Sequence, residues 1–309
     1  MPLVKIELIG LEPIQDLVEL VLWTTYIKYA KPGSLLIIAE PESGKTELMK
    51  KYRKNKGVQA RRRFTAYGVQ DDLINDRISV RFLNPKILGH VLVYDFSSLF
   101  SFKPSTVDST MSFLDALTEE GISSESTYVT DSDKLKKYEG LKGGIIAGIN
   151  TYGFFSNPEK KKIRANILKG GFFSRNIVAS YRISETMLAK IFDSVKQEEY
   201  REDKKFVNLI PLNFPKKRVD VKISLEFKET IKDIVKEIRE TINEDFKTEL
   251  KGIRLFKQLI ALAKASALRD GRIKVISKDV DRLRYLSHWM NLKQRNLKDN
   301  YPFSGDDVA

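Results

Sequence analysis

The chain contains no cysteine, which excludes disulfides, thiolate metal sites and cysteine nucleophiles together. It has two histidines, His90 and His288, too far apart in sequence to suggest a histidine metal centre, so both are expected to pack or to lie at the surface. A long uncharged run is also missing: residues 9 to 30 are rich in apolar side chains, but Glu12, Asp16 and Glu19 interrupt the ~20 residues that a membrane span requires. The opening residues, Met1 to Lys5, lack the basic start, apolar stretch and small-residue cleavage site of a secretory leader. These absences lead to the expectation of a soluble, cytoplasmic protein with no membrane partner. No internal repeat or low-complexity tract is present.

What is there suffices for a large core: 42% hydrophobic residues and 17 phenylalanines in 309 positions. That length favours two domains, because single cores rarely grow beyond ~250 residues. Lys and Arg number 54 against 41 Asp and Glu, a formal charge of +13 that suggests a polyanionic partner, nucleic acid foremost.

Apolar residues Ile14, Leu17, Val18, Val21, Leu22 and Tyr26 recur at helical spacing over 13 to 30, and Pro32-Gly33 ends that segment. Leu35-Leu-Ile-Ile38 is a short apolar run bounded by turn residues, the pattern of a buried parallel strand, with a helix expected from Thr46 to Arg53. Further strands are expected at 91–94 and 144–149, with a helix over Thr110 to Glu120 between them. The alternation predicts a three-layer α/β domain with a parallel sheet over residues 1–190. Charged amphipathic helices over Leu225 to Phe246 and Leu250 to Leu268 predict a smaller helical domain over 191–295. Within it, Asp270-Gly271 reads as a turn, Arg272 to Ile276 as a strand and Ser277 as the cap of a helix through Trp289. Residues 296–309 read as a polar tail.

The strongest chemical signal is Ala39-Glu40-Pro41-Glu42-Ser43-Gly44-Lys45-Thr46, which has the form of a phosphate-binding P-loop with alanine at its first position. A triphosphate requires inward-pointing backbone N–H groups, a lysine for the β and γ phosphates and a hydroxyl for Mg²⁺. A strand before the loop and a helix after it provide the setting for all three. ATP and Mg²⁺ are therefore the expected cofactors. A carboxylate ending a neighbouring strand would order the Mg²⁺ and its waters, and Asp95, closing Val91-Leu-Val-Tyr-Asp95, fits. The next residue is Phe96.

The order of these segments with Ile145-Ile-Ala-Gly-Ile-Asn-Thr151, Gly171-Phe-Phe-Ser-Arg175 and Arg254-Leu-Phe-Lys-Gln-Leu-Ile-Ala-Leu-Ala-Lys-Ala265 resembles an AAA+ ATPase. The alanine-rich helix, Val275-x3-Asp279-Val280 and Thr110 to Gly121 are most similar to the minichromosome maintenance helicase and MoxR-like branch. The resemblance implies a lid role for the helical domain. It also implies a polar sensor at Asn150, an arginine finger at Arg175 that reaches a neighbouring subunit's ATP, and a second sensor at Arg254. Where this family usually has a glutamate that activates water, the chain has Phe96, so Glu42, Glu119 and Glu120 stand as alternative carboxylates.

Lys134, Lys136, Lys137 and Tyr138 fall where the related helicases project a hairpin into a pore, with phosphate contacts and base stacking as the implied roles. Arg61 to Arg63 and Lys160 to Lys162 with Arg164 form further basic clusters. The expectation is a homo-oligomeric ring or arc acting on DNA as a replication helicase, a helicase loader or a mobile-element motor. The lack of the amino-terminal domain of full minichromosome helicases favours a compact phage, plasmid or mobile-element protein. A MoxR-like protein remodeller and a nucleotide-gated scaffold without turnover are the alternatives.

Overall fold

The run Leu35-Leu-Ile-Ile-Ala39 is apolar throughout because both of its faces are covered. In the computed structural model, which describes residues 10–62, 64–69, 87–122, 140–151, 172–197, 209–246, 251–293, 295–297 and 302, this run is β1 (Leu35–Ala39). It lies inside a parallel sheet with β2 (Val58–Arg61), β3 (Ile87–Val93), β4 (Lys142–Asn150) and β5 (Ile177–Arg182). The order is β2-β3-β4-β1-β5, extended beside β5 by the two-residue β6 (Arg295–Asn296).

Alternation along the strands feeds two apolar clusters. Leu35, Ile37 and Ala39 join Leu92, Ile146, Ile177, Ala179 and Tyr181 beneath one helical layer. That layer is built from α1 (Glu12–Trp23) and the helices Leu225–Phe246, Ile253–Arg269 and Ser277–Ser287. Leu36 and Ile38 join Val91, Val93, Ile145, Ala147, Ile149 and Val178 beneath α3 (Pro104–Asp115), the 3-10 turn Phe96–Ser101 and the π turn Ala116–Glu120. The result is an α/β fold of helix, sheet and helix layers, as the alternating pattern predicts. Ile37 is fully buried, and its truncation to alanine is expected to cost about 2–5 kcal/mol.

The remaining helices are α2 (Lys45–Lys50), α4 (Phe172–Arg175), α5 (Glu185–Gln197), α6 (Leu225–Phe246), α7 (Ile253–Arg269) and α8 (Ser277–Ser287). α5 runs through residue 190, and α6 to α8 share the apolar cluster of α1 and the β1 face. Beneath that cluster's edge, Arg269 of α7 pairs with Asp16 and, at 3.3 Å, with Glu19 of α1. Tyr52, just past α2, donates to Glu19 at 2.6 Å, so the helix after the 39–46 loop is tied to α7 through α1.

Several local expectations are corrected. β2 and β5 had not been anticipated: Val58-Gln-Ala-Arg61 is short and half polar, and Ile177 to Arg182 had been left unread. Arg272 to Ile276 forms no strand; Lys222 and Lys274 make an isolated bridge there. The helix expected from Thr110 starts at Pro104, which suits a first helical turn because proline lacks the N–H that such a turn leaves unused. It ends as α-helix at Asp115 and widens into the π turn. α7 begins at Ile253, after Gly252 in the left-handed region, and the cap of α8 is Ile276, whose N–H donates to Asp279 at 2.9 Å. His90 does pack: fully buried, it bridges Thr25 Oγ1 and Gly33 O at 3.0 Å each, and burial pulls its pKa down to about 4. No helix among the described residues is long and apolar enough to cross a membrane.

Candidate functional site

Parallel sheets present ligand sites at the carboxyl ends of their strands, beside the point where the strand order reverses. Here that point is β1, with β4 on one side and β5 on the other. The loop from Ala39 to Gly44 leaves β1 there and enters α2. Glu42 (φ 60°) and Gly44 (φ 80°) are both left-handed, with Ser43 between them at negative φ. Such alternation turns successive N–H groups towards one side. Gly44 is the N-cap of α2 and makes no side-chain cap, so the N–H groups of the first turn face the loop's concavity. Gly148 lets α2 approach the sheet: a Cβ there would lie 2.9 Å from Met49 Cε and 2.8 Å from Tyr94 O.

Lys45 folds back into the loop. Its Nζ donates to Ala39 O at 2.8 Å, to Ser43 Oγ at 2.9 Å and to Glu40 O. Burial lowers its pKa to about 8 against the opposing pull of Glu40 and Asp95. The ammonium thus sits in a cage of neutral oxygens, where an anion would be a stronger partner. Asp95 is exposed just past β3 and caps the 3-10 turn by accepting from the Ser98 N–H at 3.2 Å. Asn150 ends β4 in register with Ala39, and its N–H donates to Ser97 Oγ at 2.8 Å. Lys45, Asp95 and Asn150 are therefore brought to one end of the sheet. Thr46 stands in the first turn of α2 and is half-buried.

Phe96 points elsewhere. It is 1% exposed and packs edge-on against Phe100 at 5.9 Å, inside the second apolar cluster. The backbone turns at Asp95, so the side chain that follows enters the core and not the loop's concavity.

Arg175 and Arg254 lie together at the opposite end. Arg175 closes α4 two residues before Ile177, which is in register with Leu35. Leu35 is four residues from Ala39, so the start of β5 already lies roughly 13 Å along the strands from the loop at about 3.3 Å per residue, and Arg175 lies beyond it. It pairs with Asp115 at 3.2 Å, whose carboxyl is pushed up by burial despite that arginine. Arg254 donates to Ser174 Oγ at 2.9 Å and pairs with Glu119 at 3.3 Å, and Glu119 also pairs with Lys31. Of the three alternative carboxylates, Glu42 is in the loop, whereas Glu119 belongs to this far cluster. A cavity of about 450 Å³ adjoins Arg254, with Arg239, Lys251 and Lys257 also in its wall and no carboxylate among the described residues that line it.

Lys134, Lys136, Lys137 and Tyr138 fall outside the described residues, as do Arg63, Lys160 to Lys162 and Arg164. Sequence reading overlooked Ser97, which tethers the end of β4, and Tyr181, whose hydroxyl donates to Ser43 O at 2.9 Å and steadies the loop from β5. Ser97 stands two residues past Asp95 and was within reach of inspection. Tyr181 sits in an apolar run that carries no hint of its partner.

Mg²⁺ bound with a nucleotide takes one or two protein oxygens and completes its shell with phosphates and water. Thr46 and Asp95 fit that modest requirement. Among the described residues no cluster of three or more His, Cys, Asp or Glu side chains is arranged to hold a metal by itself. No protein-family model matches the chain, and no curated protein matches it.

Proposed function

We propose that this protein binds ATP with Mg²⁺ at the 39–46 loop and hydrolyses it as an AAA+-type motor that assembles as a ring or arc and acts on DNA. The observation that carries the reading is the convergence of Lys45, Asp95 and Asn150 at the carboxyl ends of β1, β3 and β4, around a loop with alternating backbone handedness. The lysine would exchange its cage of loop oxygens for phosphate oxygens, Thr46 and Asp95 would hold the metal, and Asn150 would orient the attacking water. The bound metal would neutralise charge on the phosphates. Helices α6 to α8 fill the role of a lid.

The far end of the sheet supports assembly. Arg175 precedes β5 and Arg254 bonds to Ser174 beside it, at the end of the sheet away from their own loop, so in the proposed ring they would serve the nucleotide of another copy. Calorimetric titration with Mg-ATP tests the core of the reading: the wild-type chain binds, and folded Lys45→Ala does not. Equal binding by both would refute a phosphate role for the loop.

The burial of Phe96 favours a second reading, a nucleotide-gated scaffold that binds ATP without turnover. Steady ATP hydrolysis by the assembled protein, abolished by Lys45→Ala, excludes it. An absence of turnover in the assembled state, with DNA present, supports it.

A further inference from the structure

The turn between α1 and β1 displays a tyrosine on backbone that disfavours one. Tyr29 has φ 65°, a conformation that glycine or asparagine adopts far more readily than an aromatic residue, and its side chain is 81% exposed. The turn is held from outside. Arg218 donates from Nε to Thr25 O at 3.0 Å and from Nη2 to Ile27 O and Ala30 O. The Lys28 N–H donates to Val219 O at 2.8 Å, and the Val219 N–H to Tyr26 O at 2.7 Å. Strained backbone of this kind persists where its surroundings over-determine it, and it concentrates at functional surfaces.

Lysines from separate segments gather around Asp220, and one of them lies beside the ring. Lys28 Nζ lies 5.0 Å from its centroid. Lys222 pairs with Asp220 at 2.6 Å, and Lys264 and Lys28 add their positive charge near the same aspartate. Lys264 is held below the ordinary lysine range by partial burial and by its neighbours Lys228 and Lys222, despite the opposing pull of Asp220. Lys222 bridges to Lys274, bringing in a further cation. Apart from Lys216-Lys217-Arg218 at the start of the strap, the patch is scattered in the sequence, because it is assembled from the 28–29 turn, the 218–222 strap, α6, α7 and the 273–275 segment.

We propose that Tyr29, with Lys28, Lys222, Lys228 and Lys264, forms a contact for single-stranded nucleic acid, in which the lysines neutralise backbone phosphates and an unpaired base stacks on the tyrosine ring. Base stacking on an exposed aromatic beside lysines is tolerant of sequence and unavailable to a base already stacked in a duplex. The contact rests on the reading of the protein as one that acts on DNA, but it is independent of the 134–138 segment and of ATP turnover.

The test is fluorescence anisotropy of labelled oligothymidylate with the intact chain over a range of salt. Tyr29→Gly keeps the left-handed turn and removes the ring; its affinity is expected to fall about fivefold or more at an unchanged melting temperature. Lys28→Ala combined with Lys222→Ala is expected to lower the slope of log affinity against log salt by about 1.4, or 0.7 for each lost phosphate contact. Wild-type binding with both variants unaffected overturns the contact and leaves the DNA reading standing. No binding by the wild-type chain overturns both. Equal displacement by a polyglutamate peptide at matched salt also overturns the contact, by assigning the patch to an acidic protein.

Discussion

The two ends of the sheet hold groups suited to the same anion in opposite conditions. At the carboxyl end Lys45 is enclosed by neutral oxygens of its own loop, and burial has lowered its pKa to about 8. At the amino end Arg175 and Arg254 are matched with Asp115 and Glu119, and neither faces the loop. The cradle end has its own arginine, Arg182 at the end of β5, paired with Glu40 at 3.5 Å, whereas Arg175 and Arg254 stand at the end without a cradle. Arg175 and Arg254 lie at the end of the sheet away from their own loop, so in the proposed ring they would serve the loop of a second copy.

The largest expected effect falls on the amino end. Arg175→Ala should leave ATP affinity within about twofold of wild type while turnover falls by about 10³; titration and steady-state hydrolysis together measure the split. A parallel loss of affinity would place the arginine's role in its own chain and break the comparison. Next is Phe96→Glu, which introduces a carboxylate directly after Asp95. Because that side chain enters the core, the change should cost about 4 kcal/mol or more in denaturant unfolding and give no gain in turnover.

A pH series sharpens the account of the carboxyl end. The protonated lysine binds phosphate, so ATP affinity should be flat below pH 8 and fall above it, approaching tenfold per pH unit. The sign for stability is the reverse. The folded pKa of Lys45 lies below the ordinary 10.5, so the unfolded chain binds more protons between about pH 8 and 10.5. The penalty for burying this charge is thus complete below pH 8 and relieved across that window. Melting temperatures of wild type and Lys45→Met should therefore converge as pH rises through it. The smallest effect is expected for Tyr181→Phe, which removes the hydroxyl bonded to Ser43 O and should cost about 1 kcal/mol in the same unfolding measurement.

Much of the fold was legible because apolar runs and helical spacing report burial directly. Leu35 to Ala39 and the 22 residues of α6 lie where their patterns put them. β2 escaped because four residues with glutamine and arginine carry too little pattern for an edge strand. The short segment at 272–276 misled because β-branched residues suit an isolated bridge as well as a strand. In the site, Gly44 and Lys45 were visible as a motif, and Asp95 and Asn150 as strand ends. The partners that fix them were not: Tyr181 lies 138 positions from Ser43, and Asp115 lies far in sequence from Arg175. Such pairings are set by strand order and register, which no local window contains. Phe96 was noticed as a departure in type, but its significance is directional and follows from the turn at Asp95.

The central claim, that the cradle of one chain is completed by the arginines of another, is tested most directly by mixing two inactive variants. Lys45→Ala lacks a working cradle and Arg175→Ala lacks the arginine. Combined across a range of ratios, they should regain ATP turnover, because some interfaces then join an intact loop to an intact arginine. No recovery at any ratio, from variants shown to co-assemble, would contradict the account.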